Sequence, residues 1–241
     1  MADNLYAPPD ARLEEPAARS LATGEVLHHA AWLAGRYWQA VLLPSLLVFG
    51  PIEVVHGLGL WVARAEAVNL VESLTNLASG LGAALVAPWM FIGVTQMERS
   101  GEPLDLRAAL DRAAKLLPAV FGARLLVGLL VGLGSLLLVV PGMVLWTRYS
   151  LTDPVVTLEG CGAFDALKRS EALVAGRGWA VFRAVLSASV VVFCFAFLVT
   201  MLTELAGLIA LTMMAGMLTS LAGLYPVLVV LVLYQRLSEP A

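Results

Sequence analysis

Long apolar runs, separated by short charged segments, make up most of the chain. Four of them contain no Asp, Glu, Lys or Arg, and a fifth is interrupted only by Glu53; they cover 73–97, 125–147, 184–203, 205–235 and 37–63. A helix needs roughly 20 residues to cross about 30 Å of hydrocarbon, so runs of this length predict transmembrane helices.

The run 125–147 continues into enough apolar sequence for two spans. Pro141 and Gly142 form a helix-ending pair within it, and apolar residues resume behind them as far as Leu158. We therefore predict an all-α fold, a polytopic transmembrane helical bundle of about six spans. The expected spans lie near 37–61, 68–98, 119–140, 143–159, 179–203 and 206–236.

Three segments between the spans have apolar residues at helical spacing and predict amphipathic helices at the cytosolic surface of the membrane. The apolar positions are Val26, Ala30 and Leu33 in the first segment, and Leu106, Leu110, Ala113 and Leu117 in the second. The third segment covers 164–176, where Asp165 lies four residues before Arg169 and Gly176 predicts the C-terminal end.

Each amphipathic segment precedes a pair of spans, which suggests an internal repeat of one amphipathic helix followed by two transmembrane helices. The best match pairs residues 34–38 with 175–179, where Ala, Gly, Arg and Trp recur in the same order. The alternative is that Arg and Trp are favoured at the cytosolic start of any span. The sequence leaves both interpretations open.

Composition agrees with a membrane protein. The 241 residues are 60% hydrophobic and 14% charged, with a mean hydropathy of +0.85. A soluble domain of this length could not bury so much apolar surface, so we expect the lipid bilayer to cover it. The net charge is −3 and the basic residues are scattered, which excludes nucleic acid as a partner.

The preference for Arg over Lys and the many Ala, Gly and Val residues suggest a bacterial protein, for which we expect the inner (plasma) membrane. The distribution of Lys and Arg predicts that the N- and C-termini are both cytoplasmic. In that orientation Arg64 is the only Lys or Arg in the outer connections. The cytoplasmic segments contain Arg12, Arg19, Arg36, Arg99, Arg107, Arg112, Lys115, Lys168, Arg169, Arg177, Arg183 and Arg236. We expect residues 1–20, which are polar and Pro-rich, to be a disordered cytosolic tail, and 21–238 to be a single integral membrane domain.

Two charged residues, Arg148 and Asp153, are predicted to lie inside the membrane. Counted from the predicted outer turn at about 1.5 Å per residue, they are roughly 9 Å and roughly 16 Å deep. They are five residues apart, and Pro154 can distort the helix enough for them to meet. They form our candidate intramembrane polar site, interpreted either as a structural ion pair or as a site for a substrate or proton.

The other charges in the spans fit positions at the membrane surfaces. Arg124 lies roughly 27 Å below the same turn, where its long side chain can snorkel to the inner surface. Glu53 and Glu72 fall near the outer ends of the first two spans, where water can solvate them.

Small residues at four-residue spacing predict close helix packing, at Gly128 and Gly132 and again at Ala215, Thr219 and Gly223. Packing within one bundle accounts for both sets. The alternative is contact with a membrane-protein partner or a second copy in a homodimer.

The sequence has no catalytic, cofactor-binding or metal-binding pattern. His28, His29 and His56 lack a second ligand at metal-binding spacing on one helical face, and no P-loop, dinucleotide fingerprint or nucleophile elbow occurs. Cys161 and Cys194 lie far apart, which predicts small apolar residues and no disulfide. We therefore predict no enzymatic activity and no cofactor.

Residues 137–182 carry a further pattern, made of Pro141, Gly142, Arg148, Pro154, Glu159, Leu167, Ser170, Leu173, Gly176 and Trp179. It resembles the membrane domain of glycerophosphodiester phosphodiesterases and of related stand-alone bacterial inner-membrane proteins. The resemblance implies helical spans with amphipathic cytosolic helices. In those enzymes a separate soluble barrel carries the phosphodiesterase activity. We expect no such barrel here, because the chain ends at Ala241 directly after the last span, and the activity is not transferred.

Two functions from different classes fit these observations. The first is a membrane scaffold or accessory subunit that organises lipid or a partner protein through its cytosolic amphipathic helices. The second is a small transporter or lipid-handling protein that uses the region of Arg148 and Asp153.

Overall fold

The computed structural model of the chain consists of α-helices joined by short turns, and it describes residues 21–62, 67–101, 104–206 and 209–238. The helices within these residues are α1 (Thr23–Arg36), α2 (Trp38–Val62), α3 (Val68–Ser100), α4 (Leu106–Leu137), α5 (Val139–Arg148), α6 (Thr152–Glu159), α7 (Ala163–Val174), α8 (Gly178–Ala206), α9 (Ile209–Ala222) and α10 (Leu224–Ser238). The predicted tail at 1–20 lies outside the described residues.

The predicted helical membrane bundle is confirmed. Five helical stretches among the described residues are long and apolar enough to cross a membrane: Trp38–Leu60, Val68–Ser100, Leu106–Leu137, Gly178–Thr203 and Met214–Ser238. The last stretch contains the end of α9 and all of α10, and the single residue Gly223 separates these two helices. The span expected at 206–236 is therefore two helices, α9 and α10, instead of one.

The span expected at 143–159 is also two helices, because the chain turns at 149–151 between α5 and α6. Pro154 explains the break: in a continuous helix its ring would clash with the carbonyl of Ser150 and it could donate no hydrogen bond. Hydroxyl groups bind the carbonyls around the break. Ser150 donates to the Thr147 carbonyl at 2.9 Å, and Thr152 donates to the Tyr149 carbonyl at 2.8 Å.

The turn between the third and fourth spans lies at Leu138, and the prediction of a turn at Pro141 and Gly142 is wrong. Leu138 has the extended backbone angles φ −165° and ψ 146° and separates α4 from α5. Pro141 lies in the first turn of α5, where the missing N–H has no intrahelical partner to lose. Gly142 is buried against α4, and a Cβ at this position would lie 2.9 Å from the Cα of Ser135.

The amphipathic segment 104–117 is not a separate interfacial helix. It is the first part of α4, which continues through Pro118 to Leu137. Asp105 caps the N-terminus, since its carboxylate accepts a hydrogen bond from the Ala108 N–H at 3.0 Å.

The other two amphipathic segments are separate helices, α1 and α7, and both pack into the bundle. Val26, Ala30 and Leu33 of α1 are fully buried, as their spacing predicts. Gly176 follows α7 with φ +75°, a left-handed conformation that favours glycine. Each of the two helices leads through a short turn into a long helix that begins with or next to a tryptophan, Trp38 in α2 and Trp179 in α8.

The core lies at the end of the bundle that holds α1 and α7, which we call the α1/α7 end. Helix α6 runs through it, and Val155 and Val156 are fully buried between α3, α4 and α7. The opposite half of the bundle exposes apolar side chains: Leu136 is 85% and Leu205 is 84% exposed. In a membrane protein, lipid covers such an exposed apolar surface. The helices of this half therefore pack against lipid, and most packing within the chain lies at the α1/α7 end.

The close approach of α4 and α5 predicts that Gly142→Ala lowers stability. The added methyl would collide with the Ser135 backbone, and overpacking of this kind costs about 1–3 kcal/mol. Unfolding of the purified protein in mixed micelles measures the change. Gly132→Ala is the matched control, because a Cβ there meets no described atom within 4 Å and alanine favours the helix. Equal stability of the two variants would contradict the prediction.

Candidate functional site

The candidate site is built around an ion pair between α4 and α6. Asp153 accepts hydrogen bonds from two nitrogens of Arg124, at 2.9 Å from Nε and 2.6 Å from Nη2. The two side chains are 30% and 25% exposed. Asp153 also lies in the first turn of α6, where the helix dipole stabilises a negative charge.

The position of the turn explains why these two residues meet. Arg124 lies fourteen residues before Leu138 and Asp153 fifteen residues after it, so the antiparallel arms bring them to the same level, about 21 Å from the turn. Arg124 therefore binds a carboxylate in the bundle, a partner that the sequence did not predict. Its expected position near the inner surface stays a prediction.

The expected contact between Arg148 and Asp153 does not form. Arg148 binds Glu171 of α7 at 3.0 Å instead. The break between α5 and α6 separates the directions of the two side chains, so Arg148 faces α7 while Asp153 faces α4. The Arg148–Glu171 pair is about half exposed, at 51% and 43%. The fully buried Ser170 hydroxyl donates to the backbone carbonyl of Arg148 at 2.7 Å and fixes the end of α5 on α7.

Glu159 connects the other end of α6 to two more helices. One of its carboxylate oxygens accepts a hydrogen bond from the Tyr234 hydroxyl of α10 at 3.1 Å and another from Arg169 of α7 at 3.2 Å. The thiol of Cys161 lies in the turn that follows. Burial raises its pKa, and the nearby Glu159 carboxylate raises the pKa further.

The residues of the family-like pattern thus lie on one continuous part of the structure. Pro154 lies in the first turn of α6 and Glu159 ends that helix, Ser170 fixes α5 to α7, Gly176 lies in the turn before α8, and Trp179 lies in the first turn of α8. The candidate residues Arg148 and Asp153 belong to this part but to different ion pairs. Their role as a site for a substrate or proton stays a prediction.

A cavity of about 470 Å³ lies beside the Arg124–Asp153 pair. Its wall includes Gly128 and Gly132, and a Cβ at either glycine would meet no described atom within 4 Å. The expectation that these glycines pack against another helix of the chain is therefore wrong. They border open space next to an ion pair. This space can hold a polar molecule or a helix from another chain.

Sequence reasoning missed one polar cluster. Glu53 does not lie at a solvated rim: its side chain is 12% exposed inside α2, and it accepts a hydrogen bond from Ser220 of α9 at 3.1 Å. His56 Nδ1 lies 3.8 Å from the same carboxylate. The absent side chain of Gly216 leaves room for Glu53. A signal for this cluster is present in the sequence: Glu53 is the only carboxylate in an otherwise uncharged run, and His56 follows it three residues later.

In the described part of the chain, no group of three or more His, Cys, Asp or Glu side chains lies close enough to hold a metal ion. The clusters that do form contain one carboxylate with hydroxyl, imidazole or guanidinium groups, which are suited to hydrogen bonding and charge pairing.

The fold and its apolar helices define a multi-pass helical membrane protein, and comparison with known proteins agrees. The chain is similar to the "UPF0259 membrane protein SG1383" of Sodalis glossinidius (strain morsitans), with 31% identity over 109 residues. The similar region is 45% of this chain and 43% of that protein, so the chain matches less than half the length of its relative.

Other comparisons leave the family open. No protein-family model matches the chain, and no solved structure matches it. Membership in the membrane-domain family of the glycerophosphodiester phosphodiesterases is therefore not shown and stays a prediction.

The ion pairs predict a specific pattern of energetic coupling. In a double-mutant cycle, Arg124→Gln and Asp153→Asn should couple by about 1–2 kcal/mol in the free energy of unfolding, because each single change leaves the other charge in apolar surroundings. The half-exposed pair Arg148→Gln and Glu171→Gln should couple by less than about 1 kcal/mol.

The control cycle combines Arg148→Gln with Asp153→Asn. These residues have separate partners, so their effects should add within about 0.5 kcal/mol. Strong coupling in the control cycle, with none between positions 124 and 153, would contradict the observed pairing.

Proposed function

We propose that this protein is a non-enzymatic scaffold or accessory subunit of the bacterial inner membrane. The observation that carries the proposal is that charged side chains join helices of the bundle. Arg124 of α4 binds Asp153 of α6, and Glu159 of α6 binds both Arg169 of α7 and Tyr234 of α10. Groups that hold the architecture together fit a protein whose function depends on a fixed shape.

The surface of the α1/α7 end also supports a role as a scaffold. Helices α1 and α7 bury one apolar face in the bundle and turn the other face outward, where α7 carries the exposed Lys168. Such a face can contact anionic lipid headgroups or the acidic surface of a partner. The open cleft at Gly128 and Gly132 offers a second contact, for a helix of a membrane-protein partner or of a second copy.

The proposed orientation places the α1/α7 end and both termini in the cytoplasm. Arg36, Arg99, Arg177 and Arg236 lie at the helix ends that meet there, which follows the preference of cytoplasmic segments for basic residues. Arg64, the basic residue of the expected outer connections, lies outside the described residues.

One observation favours a second candidate function, a small transporter or lipid-handling protein. The Arg124–Asp153 pair borders a cavity of about 470 Å³ at the break between α5 and α6. Broken helices with polar groups at the break often form binding sites in transporters. In this alternative the cavity beside Arg124 and Asp153 holds a substrate, and these charges do more than stabilise the bundle. Of the expected site residues Arg148 and Asp153, only Asp153 lines this cavity.

The double substitution Arg124→Met with Asp153→Leu separates the two functions. Apolar residues of similar size can replace an ion pair without loss of stability. A scaffold should then fold and restore a deletion strain to the wild-type set of proteins co-isolated after cross-linking. A transporter should fold but fail to restore the strain. The lipid profile of the deletion strain is the second measurement, since an altered profile restored by the wild type alone would support lipid handling.

The orientation predicts how Cys161 reacts in a Cys194→Ser background. A membrane-impermeant maleimide should label Cys161 in inverted vesicles and not in intact cells. Because its pKa is raised, less thiolate is present at pH 7, so labelling should be slower than for an ordinary exposed cysteine and should accelerate toward pH 9.

The control is Asn69→Cys with both natural cysteines replaced by serine. Asn69 is exposed near the opposite end of the bundle and should react in intact cells. Labelling of Cys161 in intact cells together with protection of position 69 would reverse the proposed orientation.

A further inference from the structure

A groove of about 570 Å³ lies between α5 and the junction of α7 with α8, away from the Arg124–Asp153 pair. Its walls are largely apolar and include Val140, Met143, Val144, Trp179 and Phe182. Val140 and Val144 are 68% and 50% exposed, so the groove opens sideways toward lipid. This position makes it accessible to molecules dissolved in the bilayer.

One end of the groove is polar. Arg148 and Glu171 line it with their ion pair at 3.0 Å. Gly176 and Gly178 also line the groove and add no side chain to it. An ion pair this exposed contributes little stability, so exchanging its internal contact for contacts to a ligand costs little.

The groove changes from apolar to charged along its length. Val140 and Arg148 are eight residues apart on α5, about 12 Å along the helix. The wall of α8 is rigid, because Trp179 stacks on Phe182 with ring centroids 5.4 Å apart and Phe182 packs edge-on against Trp146 at 6.3 Å. Trp179 lies at the charged end, as expected for a tryptophan at a membrane–water interface.

We propose that the groove binds one phospholipid whose headgroup carries both a phosphate and a primary ammonium group. An acyl chain lies along Val140 and Val144. The guanidinium of Arg148 donates hydrogen bonds to the phosphate, and the carboxylate of Glu171 accepts them from the ammonium group. Two opposite charges a few ångströms apart on the protein match two opposite charges on one headgroup, and this complementarity selects such a lipid over a purely anionic one.

This binding site is independent of the scaffold function, and it differs from the cavity beside Arg124 in its residues and its chemistry. A second copy of the chain is the competing occupant, because an exposed apolar groove can also be a contact between subunits. The two occupants predict different responses when the groove is filled.

The test uses the purified full-length protein in nanodiscs containing equal amounts of phosphatidylethanolamine and phosphatidylglycerol. After release into detergent, native mass spectrometry counts the retained lipids and identifies them. Val144→Trp fills the groove and should abolish the retained lipid. Leu129→Trp is the matched control, because Leu129 is similarly exposed, at 55%, on α4 outside the groove, and this variant should retain lipid like the wild type.

Two further variants test the headgroup contacts. Glu171→Gln should lower the preference for phosphatidylethanolamine over phosphatidylglycerol about fivefold, since a contact of this exposure is worth at most about 1 kcal/mol. Arg148→Gln should weaken retention of both lipids, because both carry the phosphate. Melting temperatures show that the variants compared are folded.

Three outcomes would overturn the proposal. The first is equal lipid retention by folded Val144→Trp and Leu129→Trp. The second is an unchanged lipid preference in Glu171→Gln. The third is that Val144→Trp converts a dimer into a monomer while lipid retention stays the same, which would assign the groove to a contact between copies of the chain.

Discussion

A helix cannot run unbroken through Pro154, because its ring clashes with the carbonyl four residues earlier, and much of this architecture depends on that break. It turns the fourth predicted span into α5 and α6. Helix α6 can then lie in the core at the α1/α7 end, while α5 stays paired with α4. Ser150 and Thr152 each donate two hydrogen bonds to a carbonyl near the break, one from the hydroxyl and one from the backbone N–H.

The break also distributes the charges. Because α5 and α6 point their side chains in different directions, Arg148 and Asp153 bind separate partners on α7 and α4. The less exposed pair fixes α6 within the bundle, and the half-exposed pair lies at the end of an apolar groove. Burial therefore separates their roles: a shielded pair is costly to open and suits structure, whereas an exposed pair can exchange partners.

The structure also shows what each kind of residue in the family-like pattern does. Its prolines and glycines define the ends of short helices and one close helix contact, and its polar residues join those helices. Such a pattern preserves an architecture, which agrees with a resemblance that implies membrane helices more than a reaction. The similarity to a membrane protein from Sodalis glossinidius covers less than half of either chain and supports the same class.

Local periodicity and composition determined the class of protein: the apolar runs predicted the long helices, and the spacing of Val26, Ala30 and Leu33 predicted the buried face of α1, because both depend only on neighbouring residues. The partner of each charge was decided by tertiary structure. Misplacing one turn by three residues moved Arg124 out of register with Asp153, and no local pattern showed that Gly216 makes room for Glu53. The sequence also could not show that Gly128 and Gly132 border a cavity, since the same spacing occurs where helices touch. Contacts between distant segments depend on the exact turn and rotation of each helix, and only the folded chain fixes these.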